Sequence, residues 1–132
     1  MPRVGDTASF TKTITETDVA LFAGLTGDFN PAHIDSEAAA RGFFRARVAH
    51  GMLTASLIST VLGTRLPGPG TIYLSQGLRF TAPVYLGDTV TARAEVTEVD
   101  EAKRRVRLRT WCTNQHEKVV IEGEALTMVP SP

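Results

Sequence analysis

The sequence contains a single cysteine, Cys112, so no disulfide can form within the chain. The cysteine pairs typical of zinc sites are missing as well. Neither the opening MPRVGDTASF nor any later segment has the apolar run of a secretion signal or of a membrane span, which needs roughly 18 apolar residues. These absences predict a protein of the reducing cytoplasm that is neither exported nor inserted into a membrane.

An excess of either charge is also missing. Lysine plus arginine number 14 and aspartate plus glutamate number 14, so the formal net charge at pH 7 is zero. A chain without a global basic field has no long-range attraction for nucleic acid or for an anionic membrane surface. We therefore expect neither as a partner, and any anionic group of a ligand must be held by local contacts.

The length and composition favour a single domain over residues 1–132. Hydrophobic residues make up 42% of the 132 positions. This is enough for one sizeable core and too little chain for two ordinary domains.

The N-terminal half of the sequence predicts one strand and three helices. Residues 8–14 have the character of a short strand, and Thr15 and Asp18 then form a capping pair ahead of an apolar helix. Pro31 disfavours helical geometry at the residue before it, so GDFNPAH is predicted to be an ordered non-helical turn. A small helix, SEAAARGF, begins at Ser36. The longest helix, HGMLTASLISTVLGTRL, is apolar on more than one face and is expected to be buried on most sides.

The C-terminal half predicts four strands, at residues 71–84, 88–100, 104–115 and 118–129. The third alternates between an apolar side with Val106, Leu108, Thr110 and Cys112 and a basic side with Arg105, Arg107 and Arg109. In the last strand the alternation slips near Gly123, which predicts a bulge. Together the elements predict the α+β class, with an antiparallel sheet of about five strands wrapped around the long helix.

The stretch GDFNPAHID holds more polar groups than a loop between two helices needs. Asp28 and Asn30 can be explained as ordinary turn-formers before Pro31, and a lone histidine such as His33 is more often structural than catalytic. A carboxylate and an imidazole five residues apart across a stiff turn can also converge on one water and exchange proton-donor and proton-acceptor roles. The residues alone leave both interpretations open.

Three segments carry a resemblance to a known family: FAGLTGDFNPAHID, AHGMLTASLIS and LPGPGTIYLSQGLRFTAPVYLGDTV. They resemble successive blocks of the MaoC-like R-specific enoyl-CoA hydratases, from about Asp18 to the C-terminus, and the G-D-x-N-P-x-H block is highly specific. The resemblance implies the hotdog fold, a homodimer and a coenzyme A thioester substrate. The implied reaction is reversible addition of water to a trans-2-enoyl group, giving the R-3-hydroxyacyl product. No cofactor is implied, because coenzyme A is part of the substrate.

The resemblance also implies that Asp28 and His33 form the catalytic pair and that the backbone N–H of Gly51 contacts the thioester carbonyl. Hydration of an enoyl thioester requires a base that activates water, a proton source for C2 and donors for the charge that develops on the thioester oxygen. Which member of the pair takes the first proton is left open. Gly51 directly precedes the long helix, where backbone N–H groups lack partners and the helix dipole favours negative charge.

Substrate-binding roles fall on Asn30, within the motif, and on Ser59 and Leu62, which match positions that line the acyl pocket in the family. Ser59 and Leu62 lie three residues apart, so on a helix they share a face and are expected near the end of the acyl tail. Ser59 can instead bond back to a carbonyl one turn earlier, and His50 can simply form a hydrogen bond near the helix start. Arg79 and the arginines of KRRVRLR have the pattern of a solvated strand face, so no donors for the coenzyme A phosphates are identified.

Four alternatives remain beside the hydratase. A hotdog thioesterase would hydrolyse the thioester, although the intact motif argues against it. A 3-hydroxyacyl-[acyl-carrier-protein] dehydratase would use the same pair on another carrier, and a non-catalytic acyl-CoA-binding hotdog subunit would keep the pocket without turnover. A metal site could be built from Asp28, His33, Asp35 and His50, but their spacing matches no zinc motif, so no metal is expected.

Overall fold

The computed structural model describes all 132 residues and contains five strands and four helices. Along the chain they are β1 (Thr7–Thr13), α1 (Glu16–Thr26), α2 (Pro31–Ile34), α3 (Ser36–Ala40), α4 (Gly51–Thr64), β2 (Ile72–Phe80), β3 (Thr89–Asp100), β4 (Arg105–Thr113) and β5 (Val119–Met128). The strands form one sheet in the order β1-β3-β4-β5-β2, in which every neighbouring pair is antiparallel. Helix α4 packs against β1, β2, β3 and β4. The predicted α+β class, with a five-stranded antiparallel sheet around one long helix, is confirmed.

The side chains of strand β4 alternate between a buried and a more exposed face of the sheet, as the sequence predicts. Its residues with 0% exposure are Val106, Leu108, Thr110 and Cys112. Burial raises the pKa of Cys112 to about 12, so the thiol stays protonated at neutral pH and is no nucleophile. On the other face, Arg107 forms ion pairs with Glu98 and Glu124 of the neighbouring strands.

Helix α4 supplies much of the core but is not buried on all sides. Its middle buries Leu57, Ile58, Val61 and Leu62, each at most 5% exposed. Met52, Ser56 and Ser59 follow one another at helical spacing on an exposed stripe. No helix combines the length and apolarity that crossing a membrane would require.

Strand β2 lies at an edge of the sheet and pairs only with β5. It carries four large side chains that are 40–53% exposed, namely Ile72, Tyr73, Leu74 and Phe80. The predicted strand over residues 71–84 thus ends at Phe80, ahead of Pro83, which has no N–H for a strand ladder.

The predicted non-helical turn is correct only for residues 27–30. Residues Pro31–Ile34 form one helical turn, α2, which GDFNPAH was not expected to contain. The physical reason is that proline disfavours helix at the preceding residue but is well suited to the first helical position, where its missing N–H has no partner to lose. The capping pair of Thr15 and Asp18 at the start of α1 is confirmed, and α3 begins at Ser36 as predicted but ends at Ala40.

The bulge predicted near Gly123 is misplaced, because the irregularity of β5 lies at Val120. Gly123 pairs regularly with Leu78 of β2 and with Thr110 of β4, and the register shifts occur elsewhere, at Leu74 and Val120. A Cβ atom at position 123 would lie 1.9 Å from the backbone oxygen of Gly77. The glycine therefore reflects a close approach of two backbones, which a sequence pattern cannot distinguish from a bulge.

Candidate active site

The polar motif begins where α1 ends. Gly27 adopts a left-handed conformation with φ of 82°, which glycine reaches without steric cost, and its N–H donates to the carbonyl oxygen of Ala23. Asp28 follows outside the helix, and its Oδ1 atom accepts a hydrogen bond from the N–H of Asn30 at 3.2 Å. The glycine thus ends α1 and directs the chain into the turn that carries Asp28.

One turn of helix then presents His33. Asn30 caps this turn, because its Oδ1 atom accepts from the N–H of Ala32 at 3.0 Å, and Pro31 occupies the first helical position. The N–H of His33 donates to the carbonyl oxygen of Asn30 at 2.9 Å. Asn30 and Pro31 therefore fix the backbone that separates Asp28 from His33.

The segment of residues 47–50 holds this turn from a distant part of the sequence. The N–H of Val48 donates to the carbonyl oxygen of Ala32 at 3.1 Å, and Nε of Arg47 donates to that of His33 at 2.7 Å. Arg47 also donates twice to the carboxylate of Glu16 in α1, at 2.8 and 2.9 Å. The backbone of His33 is therefore tied both to this segment and, through Arg47, to α1.

The side chain of His33 is oriented by a single hydrogen bond. Its Nδ1 atom lies 2.7 Å from the carbonyl oxygen of Val48. A carbonyl oxygen only accepts hydrogen bonds, so Nδ1 carries the proton. In the neutral ring, Nε2 then has the free lone pair and can take a proton from a bound molecule.

Asp28, His33 and His50 converge on one point. A carboxylate oxygen of Asp28 and one ring nitrogen of each histidine all lie within 4.8 Å of one another. The two imidazole rings stack with their centroids 3.9 Å apart and an interplanar angle of 30°. Asp28 is exposed, His33 is half-buried and His50 is buried. Sequence reasoning found the first two as the catalytic pair and considered His50 only for a hydrogen bond near the helix start or as one member of an alternative metal site.

Gly51 is the first residue of α4 and borders the same site. Its backbone N–H has no acceptor within the chain, as expected at a helix start. A Cβ atom at this position would lie 2.7 Å from Cε1 of Phe80, so any larger residue would require that ring to move. The side chain of Phe80 was not predicted to take part in the site, and its proximity depends on the packing of β2 beside α4.

A cavity of about 660 Å³ adjoins these groups. His33 and Gly51 contribute to its walls, together with mostly apolar residues such as Phe43, Phe80 and Ile121. Asp28 is not among the lining residues, although its carboxylate lies beside His33. The cavity can hold an apolar chain with a polar end directed at His33 and the N–H of Gly51.

A second cavity, of about 560 Å³, lies between the exposed stripe of α4 and the edge strand β2. Ser59 lines it, and Met52 lines both cavities, so the two are neighbours. Tyr73 forms part of its wall, and burial raises the pKa of this phenol to about 12. The hydroxyl therefore stays protonated and donates to Oε1 of Gln76.

The other predicted residues take three different positions. Leu62 is 1% exposed, belongs to the core and lines neither cavity, so it does not share the exposed stripe with Ser59. Asn30 caps α2 and orders the backbone next to Asp28. Asp35 lies outside the cluster, because its carboxylate caps α3 by accepting from two backbone N–H groups at 3.0 Å.

Comparisons with known proteins agree with one another. A family model described as MaoC-like domain matches residues 3–120. The chain is 57% identical over 127 residues to the (R)-specific enoyl-CoA hydratase of Rhodospirillum rubrum, covering 96% of this chain and 88% of that protein. It is 52% identical over 127 residues to the 3-hydroxybutyryl-CoA dehydratase of Methylorubrum extorquens, covering 96% and 80%. The solved structure of the unliganded R-hydratase PhaJ1 of Pseudomonas aeruginosa matches with a TM-score of 0.94 and 50% identity, over 99% of this chain and 84% of that chain.

Proposed function

This chain belongs to the family of MaoC-like domains, and we propose that it is an R-specific enoyl-CoA hydratase. In the proposed reaction, water adds reversibly to trans-2-enoyl-CoA and gives (R)-3-hydroxyacyl-CoA. The resemblance stated from three sequence segments and the predicted hotdog fold are confirmed. The observation that carries the proposal is the convergence of Asp28 and His33 beside an apolar cavity that begins at Gly51.

Asp28 and His33 are the proposed acid and base. The hydrogen bond from Nδ1 of His33 to Val48 leaves Nε2 as the atom that exchanges a proton, and the carboxylate of Asp28 lies within the same cluster. A water held between the two loses a proton to this pair as its oxygen attacks C3, and the C2–C3 π bond opens. The same proton then returns from the pair to C2, so both groups end the cycle unchanged.

Gly51 is the proposed donor to the thioester oxygen. Negative charge develops on that oxygen as C3 is attacked, and a donor that is already oriented stabilises it without reorganisation. The backbone N–H of Gly51 has no partner in the chain and lies at the N-terminus of α4, where the helix dipole also favours negative charge.

The proposal includes the remaining expectations for this protein. The enzyme needs no cofactor, because coenzyme A enters with the substrate. Two copies form a homodimer through the open edge at β2, whose large apolar residues are exposed in a single chain. Asn30 orders the catalytic turn, and Ser59 lines the cavity in which the far end of the acyl chain lies. A cytoplasmic location stays a prediction from the sequence.

The decisive experiment measures hydration of crotonyl-CoA by the parent protein and by two variants. Asp28→Asn keeps the size of the side chain but removes the carboxylate, and His33→Ala removes the imidazole. Acid and base groups in the correct position contribute factors of about 10² to 10⁴ in rate, so each variant should lose at least about 10² in kcat. Loss of enoyl absorbance gives the rate, and chiral analysis of the product gives the stereochemistry.

Two matched controls separate chemistry from folding. Asp35→Asn makes the same chemical change in the same segment, and asparagine can still cap α3. His116→Ala removes a histidine from the exposed turn before β5. Both controls should keep near-parental turnover. An S product, or near-normal turnover in folded Asp28→Asn and His33→Ala, would refute the assignment.

Two further conditions of the same assay address the alternatives. Crotonyl groups on coenzyme A and on acyl carrier protein are compared, and we expect the coenzyme A thioester to have the higher kcat/KM. Dialysis against a chelator should leave turnover unchanged, because we propose that Asp28 and His33 hold a water and not a metal ion. Loss of activity that zinc restores would instead support a metal site, and release of free thiol would identify a thioesterase.

A further inference from the structure

His50 connects three groups of the candidate site, although the sequence suggested for it only a hydrogen bond near the helix start or a place in an alternative metal site. It is 2% exposed and is the residue immediately before Gly51, at the N-cap of α4. Its Nε2 atom lies 2.9 Å from the backbone oxygen of Asp28. Its ring stacks on that of His33, with centroids 3.9 Å apart. One buried side chain thus contacts both members of the proposed catalytic pair and adjoins the proposed oxyanion donor.

The hydrogen bond determines which tautomer His50 adopts. The carbonyl oxygen of Asp28 can only accept, so Nε2 of His50 carries the proton and donates. Nδ1 then has a lone pair, yet it is buried without any hydrogen-bond partner. An unpartnered buried nitrogen is destabilising relative to an apolar ring of the same shape. Packing alone would therefore favour phenylalanine at this position, particularly with the ring of Phe22 only 4.8 Å away.

We propose that His50 is a positioning residue, which acts through Asp28 and His33 and does not contact the substrate. Its N–H fixes the backbone of Asp28, and its ring fixes the plane of the His33 imidazole. The two proposed catalytic groups lie in a turn that is exposed at Asp28. The buried side chain of His50 therefore holds them at a fixed distance from each other. This inference rests on the proposed hydratase function, because its main test is the effect of His50 on the kcat of hydration.

The test compares His50→Phe with His50→Gln. Phenylalanine keeps the stack on His33 but loses the N–H to Asp28, whereas glutamine keeps an N–H donor near the position of Nε2. Displacement of catalytic groups by about 1 Å can cost about 10² in rate, so kcat of His50→Phe on crotonyl-CoA should fall by about tenfold or more. KM and the melting temperature should change little, and His50→Gln should recover part of the lost kcat. His116→Phe, in the exposed turn, serves as the matched control and should behave like the parent.

Several results would overturn the proposal. The first is a folded His50→Phe variant whose kcat is within twofold of that of the parent. The second is a loss of kcat that is accompanied by a lower melting temperature. The third is a His50→Gln variant that recovers none of the lost kcat. A second measurement does not depend on turnover. Nitrogen-15 spectra of the histidine rings should show the Nε2–H tautomer at His50 and the Nδ1–H tautomer at His33, and the opposite tautomer at His50 would also refute the proposal. If the tautomers are as expected but the parent does not hydrate crotonyl-CoA, the anchoring geometry is supported and the proposed function fails.

Discussion

At the residue scale, the glycine at position 51 is the most constrained part of the candidate site. The ring of Phe80 comes within 2.7 Å of the position that a Cβ atom would take at residue 51. A methyl group there must displace either that ring or the first turn of α4. Gly51 therefore provides the proposed hydrogen-bond donor and also part of the cavity wall.

We expect Gly51→Ala to lower kcat on crotonyl-CoA by at least about tenfold, because a displaced oxyanion donor loses much of its effect. Gly63→Ala, on the same helix, is the matched control, since a Cβ atom at Gly63 meets nothing within 4 Å. That control should keep full turnover and gain up to about 1 kcal/mol in the free energy of unfolding. Equal turnover in the two variants would show that the contact with Phe80 does not hold the N–H of residue 51 in place.

At the scale of single elements, α1 depends on its capping box. Burial of the Asp18 carboxyl group raises its pKa. Hydrogen bonds with Thr15 and the ammonium group of Lys12 lower it by more, so the pKa lies below its ordinary value of 3.8. A carboxyl group whose folded pKa is depressed stabilises the protein above its unfolded pKa, and this stabilisation is lost as the pH falls through the folded pKa.

Asp18→Asn should therefore reduce the free energy of unfolding by about 1 kcal/mol at pH 7, and the difference from the parent should shrink as the pH falls below 3.8. Urea unfolding followed by the fluorescence of Trp111 over a pH series measures this. Glu101→Gln, at an exposed carboxylate, is the control and should show no such dependence. A difference that grows towards acid pH would contradict the argument.

Helix α4 separates the two residues that were expected to line the acyl pocket together. Ser59 lies on the exposed stripe beside the second cavity, whereas Leu62 lies in the core. Removing the Ser59 hydroxyl widens the cavity directly. Truncation of Leu62 first costs stability, by about 2 to 5 kcal/mol for a buried leucine.

We expect Ser59→Ala to raise the activity on longer enoyl chains relative to crotonyl-CoA. A series of enoyl-CoAs of increasing chain length gives the profile, and Thr60→Ala on the same helix, outside both cavities, is the control. Leu62→Ala should change the profile in the same direction only if the variant remains folded. An unchanged profile in both Ser59→Ala and folded Leu62→Ala would remove these residues from the acyl pocket.

At the scale of the whole molecule, the sheet ends in an open edge. Strand β2 pairs on one side only, and Leu74, where its register shifts, is 42% exposed. Exposed apolar edges promote pairing between chains, and two copies related by a two-fold axis can cover the same edge on each other.

The parent protein should therefore have twice the chain mass of 14.2 kDa in light scattering at micromolar concentration. Leu74→Lys puts a charge on this edge strand and should shift the equilibrium towards monomer. Val4→Lys, at an apolar residue that is 65% exposed and distant in the chain from β2, is the matched control and should stay dimeric. A fully active parent of monomer mass would contradict the homodimer.

Local patterns in the sequence predicted a large part of the fold. The alternation of β4 depends on side-chain direction, and the start of α1 depends on hydrogen bonds between Thr15 and Asp18, which are three residues apart. The proposed catalytic pair is also local, since Asp28 and His33 belong to one motif. The one-turn helix at Pro31 was missed because the same proline that excludes helix before it permits helix after it.

The sequence by itself thus determined which residues alternate in the sheet, where the capped helix begins and which two polar groups share a stiff turn, since each depends on neighbours within a few positions. Only the tertiary structure decided that His50 lies against Asp28 and His33, that Leu62 points into the core, and that Gly123 faces the backbone of Gly77. The contacts of His50 and Gly123 join residues that are far apart in the chain, and the position of Leu62 depends on which face of α4 packs against the sheet. Their formation depends on how α4 packs against the sheet, which no local pattern encodes.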